Sequence, residues 1–186
     1  SDVYKRQIPK EILEKIVAAA AFAPNQNKNI SVVVVTDHDL LKMIDRYAVG
    51  FVKRMYNLMF GLKFAEKFAT LFYKDMAVLK RKMEYGNFAR VLYENTQAVV
   101  IVTGNKRVPV TEASAPYLLA SMMMVAEAYG VGNCLMDSIH LTLRTSKELR
   151  RKLGIKEDVL GVMTLGYSNE HIVNIPRGYE AETRYL

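Results

Sequence analysis

The stretch SAPYLLASMMMVAEAYGVGNC, residues 114–134, decides the fold, because it predicts a helix, its stop and the turn that follows. Residues Ser114–Tyr129 are strongly apolar and predict a core helix, for which Gly130 is a natural stop. We expect the run Met122-Met123-Met124 to fill the core. The Gly-x-Gly of Gly130–Gly132 lacks the third glycine of a dinucleotide fingerprint and follows a helix, so it predicts a turn into a strand and no Rossmann site.

Three short apolar segments outside this stretch predict buried strands, because they are rich in β-branched residues or bounded by polar ones. They are Ile30–Thr36, Ala98–Thr103 and Val159–Tyr167. Helical spacing and capping residues predict helices over 9–22, 38–47 and 145–154, and one or two amphipathic helices within 50–84. A capping box of Thr145 and Glu148 would begin the helix over 145–154. The chain therefore predicts a single α+β domain.

The net charge is concentrated in one segment of the chain. The 186 residues include 26 Lys and Arg against 19 Asp and Glu, and residues 42–84 alone carry ten basic and four acidic side chains. Two explanations of these charges in the helical insert are structural: its lysines keep a long helix soluble, or they cover an apolar face. A third explanation is functional, because positive charge beside Phe and Leu also resembles a membrane-surface helix. Because the rest of the chain is nearly neutral, the charge does not indicate a nucleic-acid partner, and a membrane partner is not the favoured reading.

The cysteine count, the length of the apolar runs and the first residues of the chain indicate the location of the protein in the cell. A single cysteine, Cys134, excludes an intramolecular disulfide and a CxxC-type zinc site, and it is compatible with the cytoplasm, where we expect the protein. Cys134 itself is expected to be a small buried apolar residue. No apolar run approaches the roughly 18 to 20 residues that span a bilayer. Residues 1–7, SDVYKRQ, resemble a translated adaptor, so we expect a non-native leader and native residues missing before Ile8.

The most unusual local composition is the loop Asn25-Gln26-Asn27-Lys28-Asn29. Amides both donate and accept hydrogen bonds, as the edge of a planar heterocycle requires, although an ordinary polar turn has the same composition. The histidines His38, His140 and His171 are scattered, so capping or solvent-facing roles are expected for them and no metal site. A nucleophile elbow, a phosphate-binding glycine loop and a zinc motif are also lacking, so the sequence does not support covalent or metal-dependent hydrolysis.

Taken in order, these segments resemble the nitroreductase family of FMN-dependent oxidoreductases. The matching pieces are an alanine-rich opening helix that ends at Ala23-Pro24, the amide loop, the strand Val32–Thr36, the strand Val99–Val102, the helix and turn Tyr117–Cys134 (the family's GLGSC), Leu165–Tyr167 (its LGYP) and the tail Ile175–Arg177. The resemblance covers residues 8–186. It implies a three-layer α+β fold, in which helices flank a central, mostly antiparallel sheet and a helical insert occupies about 42–84.

The resemblance also implies an activity and a partner. Members are homodimers with FMN at the interface, and they transfer hydride from NADH or NADPH through the flavin to a small electrophile such as a nitroaromatic or a quinone. Since the redox chemistry belongs to the flavin, no catalytic side chain is expected.

Cofactor-binding residues are carried over from the same resemblance. Asn27 would bind the pyrimidine edge of the flavin, a backbone N–H of the segment 135–138 would lie near flavin N5, and Arg177 would pair with the phosphate. The full set of expected cofactor-binding residues is Asn25, Asn27, Asn29, Leu135, Met136, Asp137, Ser138 and Arg177.

Three departures from the family pattern leave alternatives open. Gln97 and Asp137 replace residues typical of the family, and its arginine-rich phosphate-binding segment at the N-terminus is lacking. A flavin-binding protein without reductase turnover is therefore one alternative. A peripheral membrane or interaction protein that uses the basic insert is the other.

Overall fold

Four antiparallel strands form one sheet in this computed structural model, which describes residues 7–23, 29–60 and 89–167. The strands are β1 (Ile30–Val35), β2 (Thr96–Gly104), β3 (Gly132–Leu135) and β4 (Asp158–Gly166), and their order across the sheet is β1-β2-β4-β3. The two long strands, β2 and β4, occupy the centre. Their side chains are buried along almost the whole length of both strands, as the β-branched and apolar runs predicted.

Helices cover both faces of this sheet. They are α1 (Lys10–Ala18), which continues as a 3₁₀ turn over Ala19–Phe22, α2 (His38–Phe60), α3 (Thr111–Ala128), α4 (Asp137–Thr145) and α5 (Lys147–Lys152). Among the described helices, none is long and apolar enough to cross a bilayer.

The alternation of side chains along β2 divides the interior into two cores. Ala98, Val100 and Val102 face α1 and α3, whereas Val99 and Ile101 face α2 and α4. All five of these side chains are fully buried. The three-layer α+β architecture with an antiparallel sheet is thereby confirmed.

The second helix is longer than the sequence predicted. Its expected end was residue 47, but α2 runs without interruption through Gly50 to Phe60. Buried Leu41, Ile44 and Ala48 keep a helical spacing against the sheet, and this packing outweighs the cost of one interior glycine, about 1 kcal/mol. The remainder of the basic insert, residues 61–84, lies outside the described residues.

The boundary between α4 and α5 also differs from the prediction. Thr145 is the last residue of α4, where its hydroxyl donates back to the Leu141 carbonyl at 2.8 Å. The cap of α5 is Ser146, whose Oγ accepts from the Leu149 N–H at 3.2 Å. The expected cap was therefore wrong by one residue, because Thr145 belongs to α4, a helix that the sequence did not predict.

One of the three consecutive methionines was also misplaced. Met122 is fully buried, as expected, but Met124 is 75% exposed on the outer side of α3. Two residues of an α-helix are separated by about 200° around its axis, so both cannot face the same core.

Candidate functional site

A cleft opens where β3 ends and the chain turns away from the sheet. The last pair of β3 with β4 joins Leu135 to Met163, and the Met136 N–H then donates to the Val162 carbonyl at 3.0 Å. After this bond the chain enters α4. The first residues of β4, from Asp158 to Gly161, therefore extend beyond the end of their short neighbour.

The cleft has a volume of about 190 Å³ and lies between α3, the beginning of α4 and β4. Its walls are mainly apolar, and only two of its side chains, Asp137 and His140, carry polar atoms. The lining residues are Pro116, Leu119, Ala120, Met123, Leu135, Asp137, His140, Leu160, Gly161 and Val162.

A β-bulge shapes the floor of the cleft. The register of β2 against β4 shifts between Val102 and Thr103, so both Leu160 and Gly161 fall on the side of the sheet that α3 covers. A Cβ at Gly161 would lie 2.5 Å from Leu119 Cδ1. Glycine at this position therefore allows α3 to approach the strand closely.

His140 is held in place by the sheet. Its Nε2 lies 3.2 Å from the Val159 carbonyl oxygen. Because a carbonyl only accepts, the Nε2 of His140 donates the proton of this hydrogen bond. The expected capping or solvent-facing role was therefore wrong for His140, because its half-buried ring bonds to a backbone carbonyl of β4 beyond the end of β3.

The N-terminus of α4 brings backbone donors to the same place. The first N–H groups of a helix have no partner within it, and α4 has no side-chain cap among the described residues. Asp137 and Ser138 are its first two residues. The carboxylate of Asp137 lies where negative charge interacts favourably with the helix dipole, and it also lines the cleft.

The four residues expected to pass the flavin separate into two groups. Leu135 is 51% exposed and lines the cleft with Asp137, and Ser138 follows in the first turn of α4. Met136, in contrast, is buried in the core and its N–H is already bonded to β4. Leu135, Asp137 and Ser138 are therefore the residues of this segment that remain available to a ligand.

The amide loop lies at the other edge of the sheet. Asn29 directly precedes Ile30 of β1, and β2 and β4 separate β1 from β3. Three strand spacings amount to about 14 Å, so Asn29 and Asp137 of the same chain do not contact one common group. Asn25, Asn27 and Arg177 lie outside the described residues.

His140 is the residue of this site that the sequence reading did not identify. A helix that starts at Asp137 would have predicted this position, because residues 137 and 140 lie on one side of the first turn of α4. The available signal was the helical spacing of Ile139 and Leu143, both fully buried. Within the described residues, no cluster of His, Cys, Asp and Glu could hold a metal ion.

Comparison with known proteins agrees with this architecture. A sequence model described as the nitroreductase family matches residues 4–167. An FMN-bound nitroreductase from Bacteroides fragilis is similar to this chain with a TM-score of 0.68 and 18% identity, over 97% of this chain and 89% of that one. The corresponding values for an FMN-bound nitroreductase from Desulfitobacterium hafniense are 0.71, 18%, 97% and 89%.

A structure with a different name is about as similar. Iodotyrosine deiodinase bound to FMN and 3-iodo-L-tyrosine has a TM-score of 0.66 and 17% identity, over 98% of this chain and 90% of that one. Identities this low show a shared fold alone. A search of curated proteins found no significant match.

Proposed function

Because the chain belongs to the nitroreductase family, we propose that it binds FMN and reduces a small electrophile, such as a nitroaromatic or a quinone, with electrons from NADH or NADPH. The observation that carries the proposal is the N-terminus of α4, where the first backbone N–H groups lie beside a cleft at the edge of the sheet. The flavin ring carries acceptor atoms along its N5 and O4 edge, and these match such donors.

The residues present at this site fit a flavin. The N–H groups of Asp137 and Ser138 would hold the N5 edge, and the exposed side chain of Leu135 would pack against the ring. The amides of residues 25–29 would bind the pyrimidine edge, and Arg177 would pair with the phosphate. When bound, FMN supplies the centre that accepts and donates hydride. The chain itself binds the ring, orients it and excludes water with the apolar side chains around the cleft.

The positions of these groups support a homodimer. Asn29 and Asp137 are at opposite edges of one sheet, about 14 Å apart by strand spacing. Two protomers that meet across the flavin would bring the amide loop of one chain to the ring held by the other. We therefore propose that FMN lies at the interface of a homodimer.

Reconstitution with FMN tests the proposal directly. We expect the purified protein to quench FMN fluorescence on titration, to acquire flavin absorption bands and then to oxidise NADH or NADPH when a nitroaromatic or quinone is added. Flavin that binds but stays oxidised under excess NADH and NADPH would indicate a binding protein without turnover. Protein that neither absorbs in the visible nor quenches FMN would refute the cofactor assignment.

The backbone donor can be removed without removing the helix. Proline is favoured at the first position of a helix, which Asp137 occupies, so Asp137→Pro deletes one N–H and leaves α4 able to form. We expect it to bind FMN roughly tenfold more weakly than Asp137→Ala, which loses the same carboxylate but keeps the N–H. Equal affinities of the two variants, measured by fluorescence titration, would rule out this contact.

A further inference from the structure

We propose that the outer face of the layer made by α2, α4 and α5 binds an acidic partner protein. This basic face is defined by eight exposed cationic side chains. They are Lys42, Arg46, Lys53 and Arg54 of α2, Arg144 of α4, and Lys147, Arg151 and Lys152 of α5. Binding at this face does not depend on the proposed function.

The two helical layers of the fold carry net charges of opposite sign. Helices α2, α4 and α5 together contain nine Lys and Arg side chains against four Asp and Glu side chains. Helices α1 and α3, with the 3₁₀ turn, contain two against four. Because the layers pack on opposite sides of one sheet, the excess positive charge lies on one side of the molecule. The fold thus adds the cations of α5 to those that the sequence showed within 42–84.

Helices α2 and α5 form one continuous surface. The Nζ of Lys152 lies 3.1 Å from the Tyr47 hydroxyl and 5.4 Å from the centre of the Tyr47 ring. Helix α2 has 23 residues and is therefore about 34 Å long. A face of this length suits a folded partner, which typically covers roughly 800 Å² on each side of an interface.

The carboxylates of α2 and α5 already have partners within the chain. Asp39 lies 4.0 Å from Lys42, and Glu148 lies 2.9 Å from Lys152. Asp45 Oδ1 accepts from two backbone N–H groups of the segment before β2, at 2.7 and 2.8 Å. Within residues 7–23, 29–60 and 89–167, the other six cations of the basic face form no ion pair with a carboxylate. Their charge is available to the carboxylates of a partner.

The apolar side of α2 favours a protein over a membrane surface as the partner. A helix that lies on a bilayer inserts its apolar side among the lipids. In α2 this side carries Leu41, Ile44 and Ala48, and all three are buried in the core beside the sheet. The side that remains outside is cationic, so α2 lacks the apolar contact that a membrane-surface helix requires.

Single exposed leucines favour a protein over a nucleic acid. Leu58 of α2 is 65% exposed and Leu141 of α4 is 44% exposed, on the same layer as the cations. A phosphate backbone contributes mainly charge to an interface, whereas a protein surface combines carboxylates with apolar groups. An acidic protein therefore complements both kinds of side chain.

The first experiment uses an acidic peptide as the probe. A rhodamine-labelled peptide of about 20 residues that repeats Glu-Glu-Leu would span about 30 Å as a helix. Fluorescence anisotropy would follow its binding to the full chain, with and without FMN. We expect it to bind roughly tenfold more tightly than a Gln-Gln-Leu peptide, and several-fold more weakly at about 0.15 M salt than at about 0.05 M. Equal affinities for the two peptides, or no effect of salt, would refute the proposal.

Two double variants locate the binding face. Arg46→Glu with Arg151→Glu reverses two charges of the basic face, and we expect it to bind the acidic peptide at least roughly tenfold more weakly. Lys10→Glu with Lys15→Glu is the matched control, because it changes the net charge equally on α1, and its affinity should stay within about twofold of the wild type. Equal losses in both would mean that net charge alone governs binding, which contradicts a defined face.

A milder variant guards against a loss of folding. Arg46→Gln with Arg151→Gln removes the same two charges without introducing repulsion, so its affinity should fall between those of the wild type and the glutamate variant. Thermal unfolding of each variant shows whether the chain still folds. A folded glutamine variant with the affinity of the wild type would overturn the proposal.

Other occupants of the basic face are tested with the same variants. Vesicles with about 30% phosphatidylglycerol and a DNA duplex are both anionic, and we expect neither to bind at about 0.15 M salt. If either binds and the Arg46→Glu, Arg151→Glu protein does not, the face belongs to lipid or nucleic acid and the proposal is wrong. Oligomers larger than a dimer that this variant abolishes would assign the face to a second copy of the chain, which also refutes the proposal.

Discussion

Substituting alanine for Gly166 and for Gly50 is expected to change stability in opposite directions, because an added Cβ meets very different surroundings at the two positions. Neither residue has the positive φ that would by itself require glycine. A Cβ at Gly166, the last residue of β4, would overlap the carbonyl oxygen of Asn95. That carbonyl belongs to the turn into β2, and the Asn95 side chain donates to the Tyr167 carbonyl. The backbone at Asn95 is therefore held in place and cannot shift to make room for a methyl group at Gly166.

We predict that Gly166→Ala destabilises the fold by about 3 kcal/mol, because a methyl group is forced against backbone atoms. Gly50→Ala is the control: its Cβ would meet nothing within 4 Å inside α2, so we expect about 0.5–1 kcal/mol of stabilisation from helix propensity. Denaturant unfolding of both variants checks the pair. A Gly166→Ala protein as stable as the wild type would show that Asn95 is less confined than its contacts indicate.

At the scale of the elements, the junction of α4 and α5 depends on Ser146. The side chain of this residue caps α5, whereas Thr145 bonds to its own preceding turn. We predict that Ser146→Ala lowers the free energy of unfolding by about 1 kcal/mol. Thr145→Ala should cost only a few tenths of a kcal/mol, since the carbonyl it leaves already lies within a helical ladder. Thermal unfolding of the two variants would contradict the assigned cap if Thr145→Ala had the larger effect.

At the scale of the whole molecule, α3 is apolar on more than the side that meets the sheet. Its exposed side carries Tyr117 and Met124, 47% and 75% exposed, at a helical spacing of seven residues. The face is suited to burial against a second copy of the chain, in agreement with the homodimer proposed above.

We predict a dimer at micromolar concentration in sedimentation velocity, and dissociation to monomers for Met124→Glu, because a charge would be buried at the interface. Leu58→Glu is the matched control: Leu58 is 65% exposed on α2, on the opposite face of the sheet, and this variant should remain dimeric. A monomeric wild type, or an equal effect of both substitutions, would exclude α3 as the dimer interface.

The parts of the fold that the sequence predicted well are those with a strong local pattern. The long strands β2 and β4 were predicted to within two residues, because strands buried on both faces are nearly continuous apolar runs. The helix α3 was recognised from its apolar length and from Gly130, which has a φ of +67°. The predicted start of the helix at residue 38 was also correct, because Asp37 caps it: the Oδ1 of Asp37 accepts from the Leu40 N–H at 2.9 Å.

The parts that were predicted least completely are short and depend on their neighbours. The strand expected after the Gly130–Gly132 turn is present as β3, but its bounds were not predicted, because its four residues, GNCL, are specified by pairing with β4 more than by their own composition. Helix α4 has no capping side chain to mark its start among the described residues, so its nine residues had no local signal beyond Ile139 and Leu143. The expected burial of Cys134 was only partly correct, because an edge strand leaves its side chain half-covered.

By itself, the sequence determined the fold class, the order of the segments and the family, because these depend on hydrophobic runs and motif order along the chain. Only the tertiary structure decided what surrounds the candidate site. In the tertiary structure His140 and Asp137 line the same cleft, and this cleft lies where β4 continues past the end of β3. Three strand spacings separate Asn29 from it. The physical reason is that a cleft is formed by residues distant in sequence, such as Leu119, Asp137 and Gly161, whose distances are set by strand pairing and helix packing.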